Sequence, residues 1–348
     1  MTRDIVWRPG PSYLEGSNLK RFMDRHGIAT YDEVVRRSTA DVAWFWEAVQ
    51  RDLGIEWSDP YDTVLDTSRG IAFPAWFLGG RVNITRNCVD RHAAGPPAGK
   101  TALVWEGEDG AVRSVTYREL AAEVSRLAGG LRSLGIGKGD RVGVYMPMSI
   151  EAVVAMFAVA KLGAVYLPIF SGFGPAAVAA RLRDAEAVAL VSADGFWRRG
   201  KVVEMKELCD EAADAARVRR CVIHRRIGRE VVWHESRDVW WDELVEGQPE
   251  DLPCEDTDAE DVWMIAYTSG TTGRPKGAVH VHGGFLVKIA SEVAYQTDLR
   301  SDDVLYWITD MGWIMGQFEA VGGLALGGTV LLYEGAPDHP GPDRVWDL

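Results

Sequence analysis

Tyr267-Thr268-Ser269-Gly270-Thr271-Thr272-Gly273-Arg274-Pro275-Lys276-Gly277 concentrates glycine, short hydroxyls and one lysine more densely than any other part of the chain. An apolar run precedes it, Val262 to Ala266, and reads as a buried strand. A second apolar run follows, Ala278 to Val281. The segment between them is therefore a loop joining two strands. Gly270, Gly273 and Gly277 lack Cβ atoms, so the backbone can curl and turn its N–H groups towards a ligand. Ser269, Thr271 and Thr272 add hydroxyl donors, and Lys276 adds a mobile charge suited to phosphate. Pro275 restrains the exit of the loop. This is the chemistry of a polyphosphate cradle. A loop of the G-x-x-x-x-G-K-[ST] kind does not fit. Pro275 stands where that pattern needs its second glycine, and neither Ser nor Thr follows Lys276.

The order of these residues resembles the phosphate-loop signature of the adenylate-forming superfamily, which includes acyl-CoA synthetases, luciferases and peptide-synthetase adenylation domains. The resemblance implies that Thr268, Ser269, Gly270, Thr271, Thr272, Gly273 and Lys276 hold the phosphates of ATP.

Upstream, strands and helices alternate from about residue 93. Thr101 to Glu106 and Arg113 to Val115 read as strands, and Tyr117 to Leu134 as an amphipathic helix ending at Gly135. Strand, helix and strand follow at 141–146, 150–162 and 164–169, then a helix opened by Pro175 and a strand at 187–191. This alternation predicts a largely parallel sheet covered on both faces. Glu204 to Arg220 reads as a helix, and Trp240 to Glu260 as an acidic, exposed connector. Arg217, Arg219, Arg220, Arg225 and Arg226 read as a solvated basic surface. Beyond the loop, a helix is expected from Gly283, strands at 304–308 and 329–334, and a loop at 337–344. His280 and His282 alternate, as two residues on one face of a strand would; no Cys or carboxylate nearby completes a metal set, and no metal site is expected.

Residues 1–92 differ from the rest. They are rich in tryptophan, and Thr30 and Asp41 open two helices. The second carries Val42, Phe45, Trp46 and Val49 on one face. Phe73 to His92 reads as a loop-rich connector. Ser38 to Trp46, Trp76 to Asn83 and Asn87 to His92 resemble the N-terminal extension of acetyl-CoA synthetases. Asp310-Met311-Gly312-Trp313-Ile314-Met315-Gly316 resembles that family's Asp-x-Gly-Trp motif. The likeness implies that Trp313, Ile314 and Met315 line the acyl pocket and the path of the CoA thiol. Ile314 and Met315 replace the Val-Thr usual in acetate-specific members, which leaves the acid open between acetate, propionate and other small acids. Gly172, Arg198 and Lys201 match, by spacing, the glycine and two cations that hold the nucleotide end of CoA in that family. Asp338 stands near the same channel.

The resemblance implies an α/β fold. It is the large N-terminal domain of the adenylate-forming enzymes, stacked sheets flanked by helices, incomplete and lacking the small C-terminal domain. Residues 1–92 form the extension and 93–348 a truncated AMP-binding core. The implied chemistry is attack of a small carboxylic acid on Mg²⁺-ATP, followed by transfer of the acyl group to coenzyme A. The family's adenine, ribose and hinge motifs and its adenylation lysine are expected beyond Leu348. No catalytic residue is thus expected within the chain, and the 348 residues alone are expected to be inactive. Another adenylate-forming acid–CoA ligase, and a truncated chain acting only by interaction, are the other readings.

A net charge of −13 argues against nucleic acid or an anionic membrane as the main partner. No apolar stretch opens the chain. The most apolar one, 153–170, is broken by Lys161, Gly163 and Pro168, so neither a signal peptide nor a membrane span is expected. Cys88, Cys209, Cys221 and Cys254 are scattered, and a reducing cytoplasm is the expected setting. The sequence leaves the oligomeric state open.

Overall fold

The structure, a computed structural model, describes residues 9–268 and 275–348. The chain starts with helices α1 (Pro11–Gly16), α2 (Asn18–Arg25), α3 (Tyr31–Ala40) and α4 (Val42–Asp52). The Thr30 and Asp41 side chains accept from the N–H groups of Glu33 and Trp44, so α3 and α4 begin at a short oxygen side chain. The apolar stripe of α4 turns inward only in part: Val49 is fully buried, whereas Val42, beside the cap, is exposed. Strands β1 (Thr63–Asp66) and β2 (Ala75–Leu78) pair antiparallel. β2 lies inside the stretch expected to be loop-rich. Four residues are too few to show a strand period, and the rings of Trp57 and Tyr61 against Phe77 hold the strand in place. A π-helical turn at Arg86–Asp90 runs into α5 (Arg91–Ala94).

Strands β3 (Thr101–Gly107) and β4 (Val112–Thr116) make a hairpin. Thr116 and Glu119 then open α6 (Tyr117–Ser133) with a reciprocal capping box. The expected alternation follows: β5 (Arg141–Tyr145), α7 (Ile150–Lys161), β6 (Val165–Ile169), α8 (Pro175–Asp184) and β7 (Ala189–Ala193). A small hairpin, β8 (Phe196–Arg198) and β9 (Lys201–Val203), precedes α9 (Met205–Ala216), β10 (Arg220–His224), β11 (Asp238–Trp240) and α10 (Trp241–Val245). The chain continues through β12 (Val262–Thr268), β13 (Lys276–Val281), α11 (His282–Tyr295) and β14 (Val304–Tyr306). It closes with α12 (Ile314–Ala325), β15 (Thr329–Glu334) and α13 (Arg344–Asp347).

Among the described residues, a seven-stranded sheet has the order β11-β10-β7-β5-β6-β12-β13 and is parallel except for β13, which returns antiparallel along β12. A four-stranded sheet has the order β14-β15-β3-β4. Helix α7 packs on β5 and β6 of the first sheet and on β3 of the second, so it lies between them. Every residue from Ile150 to Lys161 is buried, which explains why the apolar residues, interrupted only by Glu151 and Lys161, form a run in place of a stripe. Leu190 and Ala193 of β7 face the core under α8 and α9, while Ala189 and Val191 face the larger core. That larger core also holds Phe22, Val49 and Ile84, so the N-terminal segment shares an interior with the sheets.

Several expectations change. The helix read over 204–220 stops at Ala216, where Arg217 takes a left-handed φ of 58°. Arg220 opens β10, whose buried core, Cys221-Val222-Ile223, is too short to outweigh the arginines around it. Arg226 is no solvated surface residue. Its side chain is 10% exposed, pairs with the buried Glu334 and lies over the Trp105 ring. Arg225 pairs with Asp242 and Glu243 and stacks on Trp240. The stretch 240–260 contains α10 and a buried Thr257, whose hydroxyl donates to the Val82 carbonyl at 2.7 Å. β14 stops at Tyr306, two residues short of the reading, and Arg344 starts a short helix. His282 is not on the strand with His280 but begins α11. It is fully buried, its Nδ1 accepts from the Ile84 N–H at 3.3 Å, and burial pushes its pKa down to about 3.

Glu319, on α12, is also wholly buried. Its Oε1 accepts the Trp307 N–H at 2.7 Å, and its Oε2 has no partner among the described residues. Burial pushes this carboxyl well above its ordinary value of 4.5. The folded state therefore holds the proton more tightly than the unfolded chain. The associated stability is full below the unfolded pKa and is lost as pH rises towards the folded one. Glu319→Gln removes that loss and is expected to gain about 1–3 kcal/mol on the parent between about pH 5 and 8. Urea unfolding of both proteins across that range checks it; parallel curves would refute it.

Candidate functional site

The pairing of β12 with β13 sets Thr268 opposite Lys276 and Tyr267 opposite Gly277. Both strands thus deliver their ends to the foot of the glycine-rich loop. Ser269, Gly270, Thr271, Thr272 and Gly273 lie outside the described residues. Lys276 is exposed at the start of β13, and a Cβ on Gly277 would come within 2.7 Å of the Ile265 side chain. Glycine at 277 is therefore needed for packing beneath the loop as well as for any curl within it. The Tyr267 hydroxyl donates to Asp184 at 2.7 Å, and burial together with that carboxylate pushes its pKa up. The Arg181 guanidinium lies 5.9 Å from the Tyr267 ring and 4.1 Å from the Phe173 ring. Phe173 in turn lies 6.3 Å from Trp313. This line of rings and one cation connects the foot of the loop to a cleft beside it.

That cleft has a volume of about 270 Å³, and Phe170, Ser171, Arg198, Asp310, Trp313 and Glu334 lie on its walls. Its geometry depends on Asp310. The carboxylate accepts the Ser171 hydroxyl at 2.5 Å and N–H at 3.3 Å, and the Gly312 N–H at 2.8 Å. Burial raises its pKa, and those hydrogen bonds oppose the rise. The clamp brings the turn after β6 against the turn before α12, so closely that a Cβ on Gly312 would sit 2.1 Å from Phe170 backbone atoms. Gln317, fully buried, donates to the Met311 carbonyl at 2.6 Å and secures the same turn from behind. Trp313 is left half-exposed at the start of α12, 5.2 Å from the Phe170 ring.

The three neighbouring pocket candidates part company here. Trp313 faces this cleft. Ile314 lines a separate, mainly apolar cleft of about 630 Å³ with Trp46, Trp76, Val279 and Phe285. Met315 packs on the main core.

Two of the three coenzyme candidates lie on the hairpin of β8 and β9. Arg198 and Lys201 are paired across it, and the residues between them, Arg199 and Gly200, both have positive φ, 52° and 68°. Two left-handed residues make the tight turn that fits the twist of a two-residue hairpin. Arg198 reaches into the cleft and donates to the Gly335 carbonyl at 3.2 Å, while Lys201 is exposed. Gly172 is in the turn after β6, where a Cβ would meet the Phe170 ring at 2.7 Å. Asp338 pairs with Arg199 at 2.8 Å. Glu108, which no motif marks, ties these loops together. One oxygen accepts the Gly200 N–H at 2.7 Å and the other the Ala336 N–H at 2.9 Å. The arrangement offers cations, a backbone edge and flat aromatic walls, a combination suited to a phosphorylated nucleotide. Among the described residues no group of three or more His, Cys, Asp or Glu is placed to hold a metal ion, and no helix is long and apolar enough to cross a membrane.

Comparison with known proteins identifies the family. The sequence pattern of the AMP-binding enzyme family matches residues 89–348, and that of the acetyl-coenzyme A synthetase N-terminus matches residues 31–88. The chain is 43% identical to acetyl-coenzyme A synthetase of Thiobacillus denitrificans, with 100% of this chain and 52% of the relative aligned. It is 42% identical to that of Methanothrix thermoacetophila, over 96% of this chain and 51% of the relative. Acetoacetyl-CoA synthetase from Streptomyces lividans superposes with a TM-score of 0.91 at 30% identity, covering 99% of this chain and 53% of that one. The chain spans about half the length of the curated relatives it matches. Its mixed α/β architecture, its loop-bearing strands and the match over most of its length agree, and the chain belongs to the family of AMP-binding enzymes, with an acetyl-coenzyme A synthetase N-terminus ahead of the matched core.

Proposed function

We propose that this protein takes part in activating a short-chain carboxylic acid. The acid attacks the α-phosphate of ATP to give an acyl-adenylate and pyrophosphate, and the thiol of coenzyme A then displaces AMP. In this reading residues 1–92 are the extension and 93–348 the nucleotide-binding core. Thr268, Lys276 and the loop between them grip the phosphates, with magnesium arriving on the nucleotide. Gly172, Arg198 and Lys201 receive the nucleotide end of coenzyme A, and Trp313 borders the path of its thiol. The observation that carries the reading is the cleft lined by both Trp313 and Arg198, joined through Phe173, Arg181 and Tyr267 to the foot of the loop. Such chemistry depends on positioning and charge neutralisation rather than on an acid–base pair. Ile314 lines a different cleft from Trp313, so the acid stays open between acetate, propionate and other small acids.

ATP–pyrophosphate exchange with acetate and with propionate tests the reading. The 348 residues alone are expected to give none, and exchange is expected when the chain is carried to the length of its relatives. No exchange in that longer protein would favour a role by interaction alone. In the active form Lys276→Ala is expected to slow exchange about 10- to 100-fold, the loss of one hydrogen bond to a charged oxygen. An unchanged rate would remove Lys276 from the phosphate grip.

A further inference from the structure

Asp194 is fully buried just beyond β7. Its Oδ1 accepts the backbone N–H groups of Arg226 at 2.8 Å and Ile227 at 3.1 Å, and its Oδ2 accepts those of Gly228 at 2.7 Å and Arg229 at 3.1 Å. One carboxylate thus fixes the whole turn after β10. The turn aims the Arg226 guanidinium across the Trp105 ring, 4.6 Å away, onto Glu334. Nε donates to Oε2 at 3.0 Å, Nη2 lies 3.0 Å from Oε1, and the same Nη2 lies 3.6 Å from Asp109. Glu334 is 1% exposed, and the next residue, Gly335, offers its carbonyl to Arg198. Glu334 and Arg198 therefore share a wall of the cleft, although Glu334 is already paired from behind.

A buried carboxylate left unpaired takes up a proton or draws in a cation. Among the residues lining the cleft with Glu334, the cation is Arg198. We propose that Arg226 is a positioning residue for the coenzyme's phosphorylated adenosine. Held by Asp194, it neutralises Glu334, fixes the Gly335 carbonyl and leaves Arg198 directed into the cleft and free to meet a phosphate. The proposal rests on the cleft being the coenzyme A site. It adds to that reading a residue that touches no ligand and sets the affinity through another. Preorganising a flexible arginine raises affinity because less freedom is lost on binding.

Calorimetric titration of the 348-residue chain with adenosine 3′,5′-bisphosphate tests this. Arg198→Ala and Arg226→Gln are each expected to weaken binding about tenfold. The double variant is expected to be no weaker than Arg198→Ala, because Arg226 acts only through Arg198. Adding Glu334→Gln to Arg226→Gln removes the competing carboxylate and is expected to restore most of the affinity. A purely structural role would give additive losses and no such rescue. This charge-free pair also stands in if Arg226→Gln alone does not fold. Arg226→Gln binding as tightly as the parent, or losses that simply add, would overturn the relay while leaving the cleft's assignment intact. Arg198→Ala binding as tightly as the parent would instead overturn the coenzyme reading itself.

Discussion

Gly312→Ala is expected to destabilise the protein by about 3 kcal/mol or more and to open the cleft between Phe170 and Trp313. The added Cβ would lie 2.1 Å from both N and Cα of Phe170 and 2.6 Å from the carbonyl carbon of Ile169. These are backbone atoms, so no rotamer change relieves the contact, and two chain segments must separate in a close-packed region. Their separation would also break the Asp310 clamp, whose oxygens bond Ser171 on one side and Gly312 on the other. The cost is steric rather than conformational, because Gly312 is not among the residues of positive φ. Gly137→Ala is the control: a Cβ there meets nothing within 4 Å, and the change is expected to stay within about 0.5 kcal/mol of the parent. Urea midpoints for the three proteins decide the matter. A Gly312→Ala variant as stable as the control would mean that the Phe170 turn yields freely.

Asp90→Ala should cost about 3–5 kcal/mol, the usual result of stranding one buried charge. The Lys161 side chain is 2% exposed, and its Nζ lies 2.7 Å from Asp90 Oδ2. The Cys254 thiol donates to that same oxygen at 3.1 Å, and the Lys161 carbonyl accepts the Glu255 N–H at 2.7 Å. The cluster therefore joins the π-helical turn, the end of α7 and the connector before β12. With the carboxylate gone, the ammonium must stay buried without a counter-charge or pull the end of α7 towards solvent. Lys161→Met in the Asp90→Ala background removes the stranded charge and is expected to recover most of the loss. Denaturant unfolding of the single and double variants measures both. A single variant within about 1 kcal/mol of the parent would show that water already reaches the pair.

Much of the architecture is legible in the sequence because the signals act over a few residues. Thr30, Asp41, Thr116 and Ser149 cap helices whose first turns lie within reach of their own side chains. The apolar runs at 152–160 and 164–169 show burial before any fold is known, since they carry no polar face. Where the signal is short or masked, it fails. β2 and β11 are too brief for a period, and β10 is hidden by arginines on either side. Arg226 reads as solvated because nothing near it in sequence discloses that Glu334, 108 residues away, is its partner.

The glycine-rich stretch and its two flanking apolar runs determine by themselves that a glycine- and hydroxyl-rich segment joins two strands, because small residues and apolar runs are local properties. Which side chains surround the cleft beside it was decided only by the tertiary structure. Ser171 meets Asp310 across 139 residues, and Glu108 joins Gly200 to Ala336 across 92 and 228. The same folding directs Trp313 and Ile314, adjacent in the chain, into different clefts. Spacing cannot encode that division. It arises where helix α12 begins and successive side chains fan out around its axis, one towards the Phe170 turn and the next towards α11 and the N-terminal segment.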